Sequence, residues 1–416
     1  MKKLLTILAA VMLVGLVVPA FSAVENVKVG GDIVAKGILR KYFGFIDGGN
    51  LKTQRILYTG ARVYVGAELS NNVSAMVRFI NENDWGSKAG EPRDVSLDLA
   101  YVKVADLMVP GLNLTVGRQE IQIADGLVVG SSYTAGNYPT NLGAPDLGLE
   151  KAFDAIKLDY AFTASPVTIS AFKSKLLVAK VSNNLYGLDI GIKGESLVVN
   201  PYYVNVSDPS RNMQVVALNL GWNPMEALGI SAEYAKQFGE DKTPSPKKDY
   251  EGWALVVGVD YKFATNMKPV ISAMYADFSG EKNANKYGWQ PVAPSNIASR
   301  VGKIAYPALF RNGEGSFDIG SGSGVRVLKL GLGLQPTEKV GVNLDWFNLT
   351  AKETNPGVSD SVGNEIDLGI TYAYSEDLSF GLDLGYFVKG NYIKNSNPGV
   401  EVKSPWQAIA TMKVAF

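Results

Sequence analysis

The chain has 416 residues, its 40 Lys plus Arg are matched by 40 Asp plus Glu, and it contains neither His nor Cys. No imidazole base, thiolate nucleophile, disulfide or ordinary zinc site can be built from it, so histidine-dependent enzymes are excluded and no catalytic or metal-binding residue is assigned. The charges are interspersed, no polybasic tract points to nucleic acid, and nothing in the composition asks for a cofactor.

At the N-terminus, Lys2 and Lys3 precede an apolar run from Leu4 to Val18, followed by Pro19 and the small residues Ala20, Ser22 and Ala23. This order predicts a signal peptide over 1–23, removed after Ala20 or Ala23, because the run is shorter than the ~20 residues a spanning helix needs. No later segment reads as a membrane helix.

From about residue 27 to Phe416 the chain alternates apolar and polar residues with a period of two, which is the pattern of β-strands with two different faces. About eighteen such segments can be drawn: 27–43, 53–69, 72–83, 95–106, 112–123, 152–162, 166–178, 184–193, 196–206, 212–222, 228–238, 250–263, 267–279, 323–335, 338–352, 362–374, 377–389 and 404–416. Sixteen remain possible if 166–178 and 196–206 are not both strands. Connections after even-numbered segments are tight, for example Ser70-Asn71, Gly194-Glu195 and Ser375-Glu376; those after odd-numbered segments are mostly longer, and about 124–151 and 280–322 are very long.

This parity predicts an all-β fold, a transmembrane antiparallel up-and-down β-barrel in one domain over 24–416. Short periplasmic turns lie at one rim and long extracellular loops at the other. The implied location is the outer membrane of a Gram-negative (diderm) bacterium. The partners expected there are outer-membrane lipid and lipopolysaccharide and small hydrophilic or anionic solutes. Nothing in the chain marks an oligomerisation element, so a monomer is favoured. Aromatic residues at segment ends fit two interfacial belts: Tyr160, Phe162, Trp222, Tyr261, Phe263, Tyr372, Tyr374, Phe380 and Phe416 at the short-turn rim, and Tyr42, Phe79, Phe278, Trp346 and Trp406 at the other.

Placing the apolar positions toward lipid turns the alternate ones inward. Lys36, Arg40, Arg62, Arg78, Glu82 and Asp98 then face the lumen early in the chain, with Asp345, Glu365, Asp367 and Asp383 late in it. Closure makes the first and last strands neighbours, so a basic arc adjoins an acidic one. Either the two arcs set a transverse field that orients a solute, or they are structural ion pairs in the wall. Arg118 falls on the lipid parity if counted from Leu112, so a β-bulge near Gly117 is expected to turn Arg118, Glu120 and Gln122 inward.

The run Val116-Gly117-Arg118-Gln119-Glu120-Ile121, the glycine-rich turn Ala124 to Gly130 and Phe153-Asp154-Ala155 resemble the alginate export family of outer-membrane barrels. Asn364-Glu365-Ile366-Asp367-Leu368, Tyr372-Ala373-Tyr374 and Leu378-Ser379-Phe380 are similar to that family's closing hairpin. The resemblance covers about 112–160 and 360–416. It implies an 18-stranded monomeric channel with an arginine-lined constriction for an anionic polysaccharide, with Arg118 and Glu120 in the lumen and Asp154, Glu365 and Asp367 as supporting charges. The chain has Phe-Asp-Ala where the family has Phe-Asp-Gly, and its lumen is charge-balanced rather than basic. The expected function is a porin-like channel for passive passage of hydrophilic or anionic solutes. The alternative is a structural or adhesive barrel whose long loops plug the pore.

Overall fold

A computed structural model describes residues 25–45, 47, 52–86, 95–132, 142–178, 181–309 and 322–416. Residues 1–23, where the sequence predicts a signal peptide, lie outside the described residues, as do 133–141 and 310–321 within the two long loops.

Eighteen long strands form the wall among the described residues. They are β1 (Glu25–Lys41), β2 (Thr53–Ser70), β3 (Val73–Asp84), β4 (Ser96–Val104), β5 (Leu112–Gln119), β6 (Phe153–Ala161), β7 (Val167–Val178), β8 (Val181–Lys193) and β9 (Leu197–Ser207). The second half comprises β10 (Arg211–Met225), β11 (Leu228–Asp241), β12 (Trp253–Lys262), β13 (Val270–Phe278), β14 (Val325–Thr337), β15 (Val340–Ala351), β16 (Ser361–Ala373), β17 (Leu378–Lys389) and β18 (Trp406–Ala415). Each pairs antiparallel with its chain neighbours, and β1 pairs with β18 from Asp32↔Ala415 to Lys41↔Trp406. The sheet therefore closes with no free edge. The segments 166–178 and 196–206 are both strands, which settles the count at eighteen.

The alternation has the expected sense. Phe380, Leu382, Leu384, Tyr386 and Val388 on β17 and Leu328, Leu330 and Leu332 on β14 point outward and are exposed. So large a continuous apolar exterior is unstable in water and suits a hydrocarbon solvent. At the short-turn rim the aromatic residues meet edge to face, as in Tyr160–Phe162 (4.6 Å) and Tyr261–Phe263 (4.7 Å). One belt assignment changes: Phe278 is fully buried inside the barrel, and exposed Tyr186, Tyr234 and Tyr275 lie on the outward face instead.

The interior is not a bare lumen. Inward positions in the loop-side halves of the strands are apolar, including Leu185, Val204, Val215, Val327, Phe347, Leu349 and Phe387, and all are buried. They pack with Ile121, Ile123, Leu127 and Val129 of one long loop and with Trp289, Val292, Val301 and Ile304 of the other. The described parts of both long loops thus fold into the barrel mouth and bury an apolar core there.

Candidate channel and its loop constriction

The two loops join inside the mouth. Ala293 N–H donates to the Val128 carbonyl (2.9 Å), Gly130 N–H to the Ala293 carbonyl (2.7 Å) and Ser295 N–H to the Gly126 carbonyl (2.8 Å), around a parallel bridge between Val129 and Ala293. Glycine is required at two of these positions by close approach. A Cβ on Gly126, whose φ is +74°, would lie 2.0 Å from Ser295 Oγ, and one on Gly130 would lie 2.1 Å from it. Buried Arg300 ties the junction by donating to the carbonyls of Ser295 (2.8 Å) and Asp125 (2.6 Å). Burial pulls the Arg300 pKa below the usual guanidinium value, against the opposing pull of Glu233 and Asp125.

Each loop is also pinned to one of the charged arcs. The basic side holds the first loop at 142–150, where Arg40 and Asp146 form a two-pronged pair (2.9 and 2.6 Å) with both side chains almost fully buried. Arg40 Nε also donates to Gln407 (3.2 Å), and its guanidinium lies 4.7 Å from the Phe43 ring centre. Lys36 Nζ donates to the Leu147 carbonyl (2.9 Å). Gly143 N–H donates to Asp84 (2.6 Å), and Leu149 N–H to Glu82 (2.8 Å), which also accepts the Tyr58 hydroxyl (2.5 Å).

The acidic side holds the second loop. Glu365, fully buried, accepts the N–H groups of Ile304 (2.6 Å) and Ala305 (2.8 Å), while Asp367 accepts that of Lys303 (3.1 Å). The Lys303 ammonium pairs with Asp383, and Lys329 pairs with Asp345 at 3.1 Å. Carboxylates on backbone donors and ammonium groups are strong, oriented interactions, so this arc is a cradle for the segment 302–305.

A third group of charges remains partly open. Along β18 to β4, Lys413 lies 3.9 Å from Asp32, Asp32 accepts from Arg62 Nε (2.7 Å), and Arg78 bonds both Asp98 (2.5 Å) and Glu120 (2.5 Å). The Lys413 and Glu120 side chains are about half exposed. This strip of mixed charge spans five adjacent strands, with the cations Arg62 and Arg78 side by side at its centre.

The register puts Lys36, Arg40, Arg62, Arg78, Asp345, Glu365, Asp367 and Asp383 on inward positions. Glu120 lies just beyond β5 and reaches Arg78. Arg118 differs from expectation. β5 pairs without a register shift through Gly117, so Arg118 keeps the parity of exposed Val116, and its guanidinium goes to Glu150 and to Asp154 (3.4 Å). Gly117 does have φ +122°, since a Cβ there would meet the Ala100 carbonyl at 2.1 Å, but it inserts no extra residue. The bulge lies one strand over. Between Arg78↔Leu99 and Phe79↔Leu97, Asp98 is the extra residue of β4, and its carboxylate reaches Arg78. The residues that sequence reasoning missed are Asp32, Asp125, Asp146 and Arg300. Asp32 sits on an inward position of the first strand and was legible from parity, whereas the other three lie in loops with no period to read.

No family model matches the chain, and no curated protein matches it. Among solved structures it is similar to OccK8 (OprE) of Pseudomonas aeruginosa, at 12% identity and TM-score 0.64 over 95% of this chain and 99% of that one. It is also similar to OccK3 (OpdO) of the same organism, at 11% identity and TM-score 0.62 over 94% and 96% of the two chains. OccAB3 of Acinetobacter baumannii aligns at 10% identity and TM-score 0.62 over 94% and 99%. At such identities the likeness concerns the fold.

Proposed function

We propose that this chain is an outer-membrane channel through which hydrophilic solutes, anionic ones included, pass down their gradient past a charged strip beside two inward-folded loops. Residues 1–23 act as the removed export signal, 24–416 form the single barrel, and the channel works as a monomer without covalent chemistry. The observation that carries this reading is the closed eighteen-strand wall with an apolar exterior and a partly open inward strip of Lys413, Asp32, Arg62, Arg78 and Glu120. Eighteen strands enclose more space than their own side chains fill. The similar Occ structures are outer-membrane porins, which supports the channel reading. They do not support the narrower assignment to the alginate export family, so an anionic polysaccharide stands as one solute to test rather than as the conclusion.

The apolar core formed by the two loops in the mouth favours a second reading, a plugged structural barrel. One experiment separates the two: single-channel conductance and reversal potential of the purified protein in a planar bilayer under a KCl gradient. Steady conductance with ion preference, reduced by uronate oligomers or small carboxylates, supports the channel. A correctly folded sample that conducts nothing overturns it in favour of the plug.

A further inference from the structure

The outward face carries a groove that conduction does not use. It has a volume of about 590 Å³ and runs across β17, β18, β1 and β2 on the loop-side half of the wall. Small residues make its floor: Gly37 on β1 with Ala408 and Ala410 on β18. Leu39, Leu57 and Leu382 make its sides. All of these are on outward positions, since Gly37 faces Ala410 and Leu57 across its two neighbours, and Leu382 faces Ala410. The floor is not crowded, because a Cβ on Gly37 would only touch Leu57 Cδ2 at 3.7 Å.

A cation and an indole stand at one end of this apolar groove. Arg55 lines it, opposite Leu39, is exposed, and makes no ion pair among the described residues. Trp85, 61% exposed, lines the same end and donates its indole N–H to Thr59 Oγ1 (2.7 Å). Lys41 lies one position beyond Leu39 on the outward face, opposite Thr53 and Trp406. β2 has 18 residues, which at ~3.3 Å each and a tilt of ~40° rise roughly 45 Å, well beyond a lipid band of ~25 Å. Arg55, near the loop-side end of β2, therefore stands at headgroup depth, with the apolar groove below it in the hydrocarbon.

We infer that this groove binds a phosphorylated, acylated lipid of the outer leaflet, with an acyl chain on the Gly37–Ala408–Ala410 floor and a phosphate on Arg55. Charge complementarity selects this occupant. A second copy of the chain would have to bring an apolar ridge and a carboxylate together at this height. Outward acids on the loop side are already engaged: Asp154 on β6 meets Arg118, and Glu240 on β11 meets Lys242 and Lys247. Arg55 has no such partner among the described residues, and a guanidinium at the interface takes a phosphate with two parallel hydrogen bonds. A second outward groove of about 450 Å³, lined by Ile271, Ala273, Leu330 and Trp346, has no cation in its lining and serves as an internal control. The inference rests on the membrane placement of the barrel and not on its conducting ions.

The test is native mass spectrometry of the full barrel in mild detergent, titrated with diphosphorylated lipid A and with the same lipid stripped of its phosphates. The wild-type protein should retain one diphosphorylated lipid and lose affinity about tenfold for the stripped one. Arg55→Gln should lose about tenfold for the phosphorylated lipid alone. Gly37→Leu, or Ala408→Leu if the former does not fold, should lose both, whereas Ala273→Leu in the control groove should lose neither. Conductance should be unchanged in all of them, since these residues face away from the lumen. Equal retention by Arg55→Gln and the wild type, equal binding of the two lipids, or an oligomer that falls apart in Gly37→Leu would each overturn the assignment.

Discussion

Removing Arg40 should free the first loop from the wall. In Arg40→Ala, Asp146 loses both prongs of its pair and stays in a site where its side chain is 3% exposed, and breaking a buried pair from one side costs about 3–5 kcal/mol. The remaining anchors of 142–150 include the Lys36, Asp84, Glu82 and Gln54 hydrogen bonds, each contributing about 1–2 kcal/mol net, together with the Arg118–Glu150 pair and the packing of Leu142 and Ala144 on Ile38, Tyr58 and Ile409. At about 1.4 kcal/mol per tenfold change, the population with this segment released should rise by two to three orders of magnitude. Single-channel recording should show new current fluctuations, and trypsin should cut faster after exposed Lys151. Replacing both partners, as in Arg40→Met with Asp146→Leu, removes the stranded charge and should return the channel toward quiet behaviour. An Arg40→Ala protein that inserts normally and matches the wild type in both current noise and proteolysis refutes the idea that this pair holds the loop.

The second loop should respond to a single methyl group. Gly302 has φ +105°, and a Cβ there would sit 2.4 Å from Glu365 Oε2, so Gly302→Ala should disturb the bonds from Ile304 and Ala305 and raise mean conductance; unchanged conductance would mean the cradle is not what seats this loop. At the loop junction, Gly130→Val should push Ser295 away and speed proteolysis of both loops together, because their bonds are shared; accelerated cutting of only one loop would show that they are not coupled. On the polar strip, Arg62→Gln with Arg78→Gln leaves Asp32, Asp98 and Glu120 short of cations, so the reversal potential under a KCl gradient should move toward cation preference. Arg118→Gln should leave that potential where it was, since Arg118 keeps outward parity; a shift as large as that of the double variant would return Arg118 to the lumen.

Several features were legible without coordinates because they depend on neighbours in sequence. A strand that meets lipid on one side must alternate, so residues such as Leu378 to Val388 declare both their conformation and their outward face. Tight turns at every second connection declare the antiparallel order and place one rim. From these, the eighteen strands and the inward charges of the wall follow, Arg40 and Glu365 among them, with boundaries displaced by only a few residues. The apolar core between loops and wall also left a trace. Leu185, Val204, Val215, Val327 and Leu349 are apolar on the inward parity, so these strands are apolar on both faces toward the loop side, which a water-filled lumen does not require.

Roles within the lumen were decided in three dimensions. Whether Arg40 greets a solute or clamps a loop depends on Asp146, which is 106 positions away in a segment with no periodicity. Likewise Glu365 caps backbone donors 60 and 61 positions distant. Arg118 shows the limit of parity arithmetic, because the lipid-side parity that called for a bulge at Gly117 is kept, while the extra residue lies across the strand pair at Asp98. The sequence by itself therefore determined the wall, since periodicity is local and hydrogen-bond closure in a membrane leaves few alternatives. Only the tertiary structure decided which charges stay in water and which are used up on the loops, because burial of the loops depends on contacts whose partners are far apart along the chain.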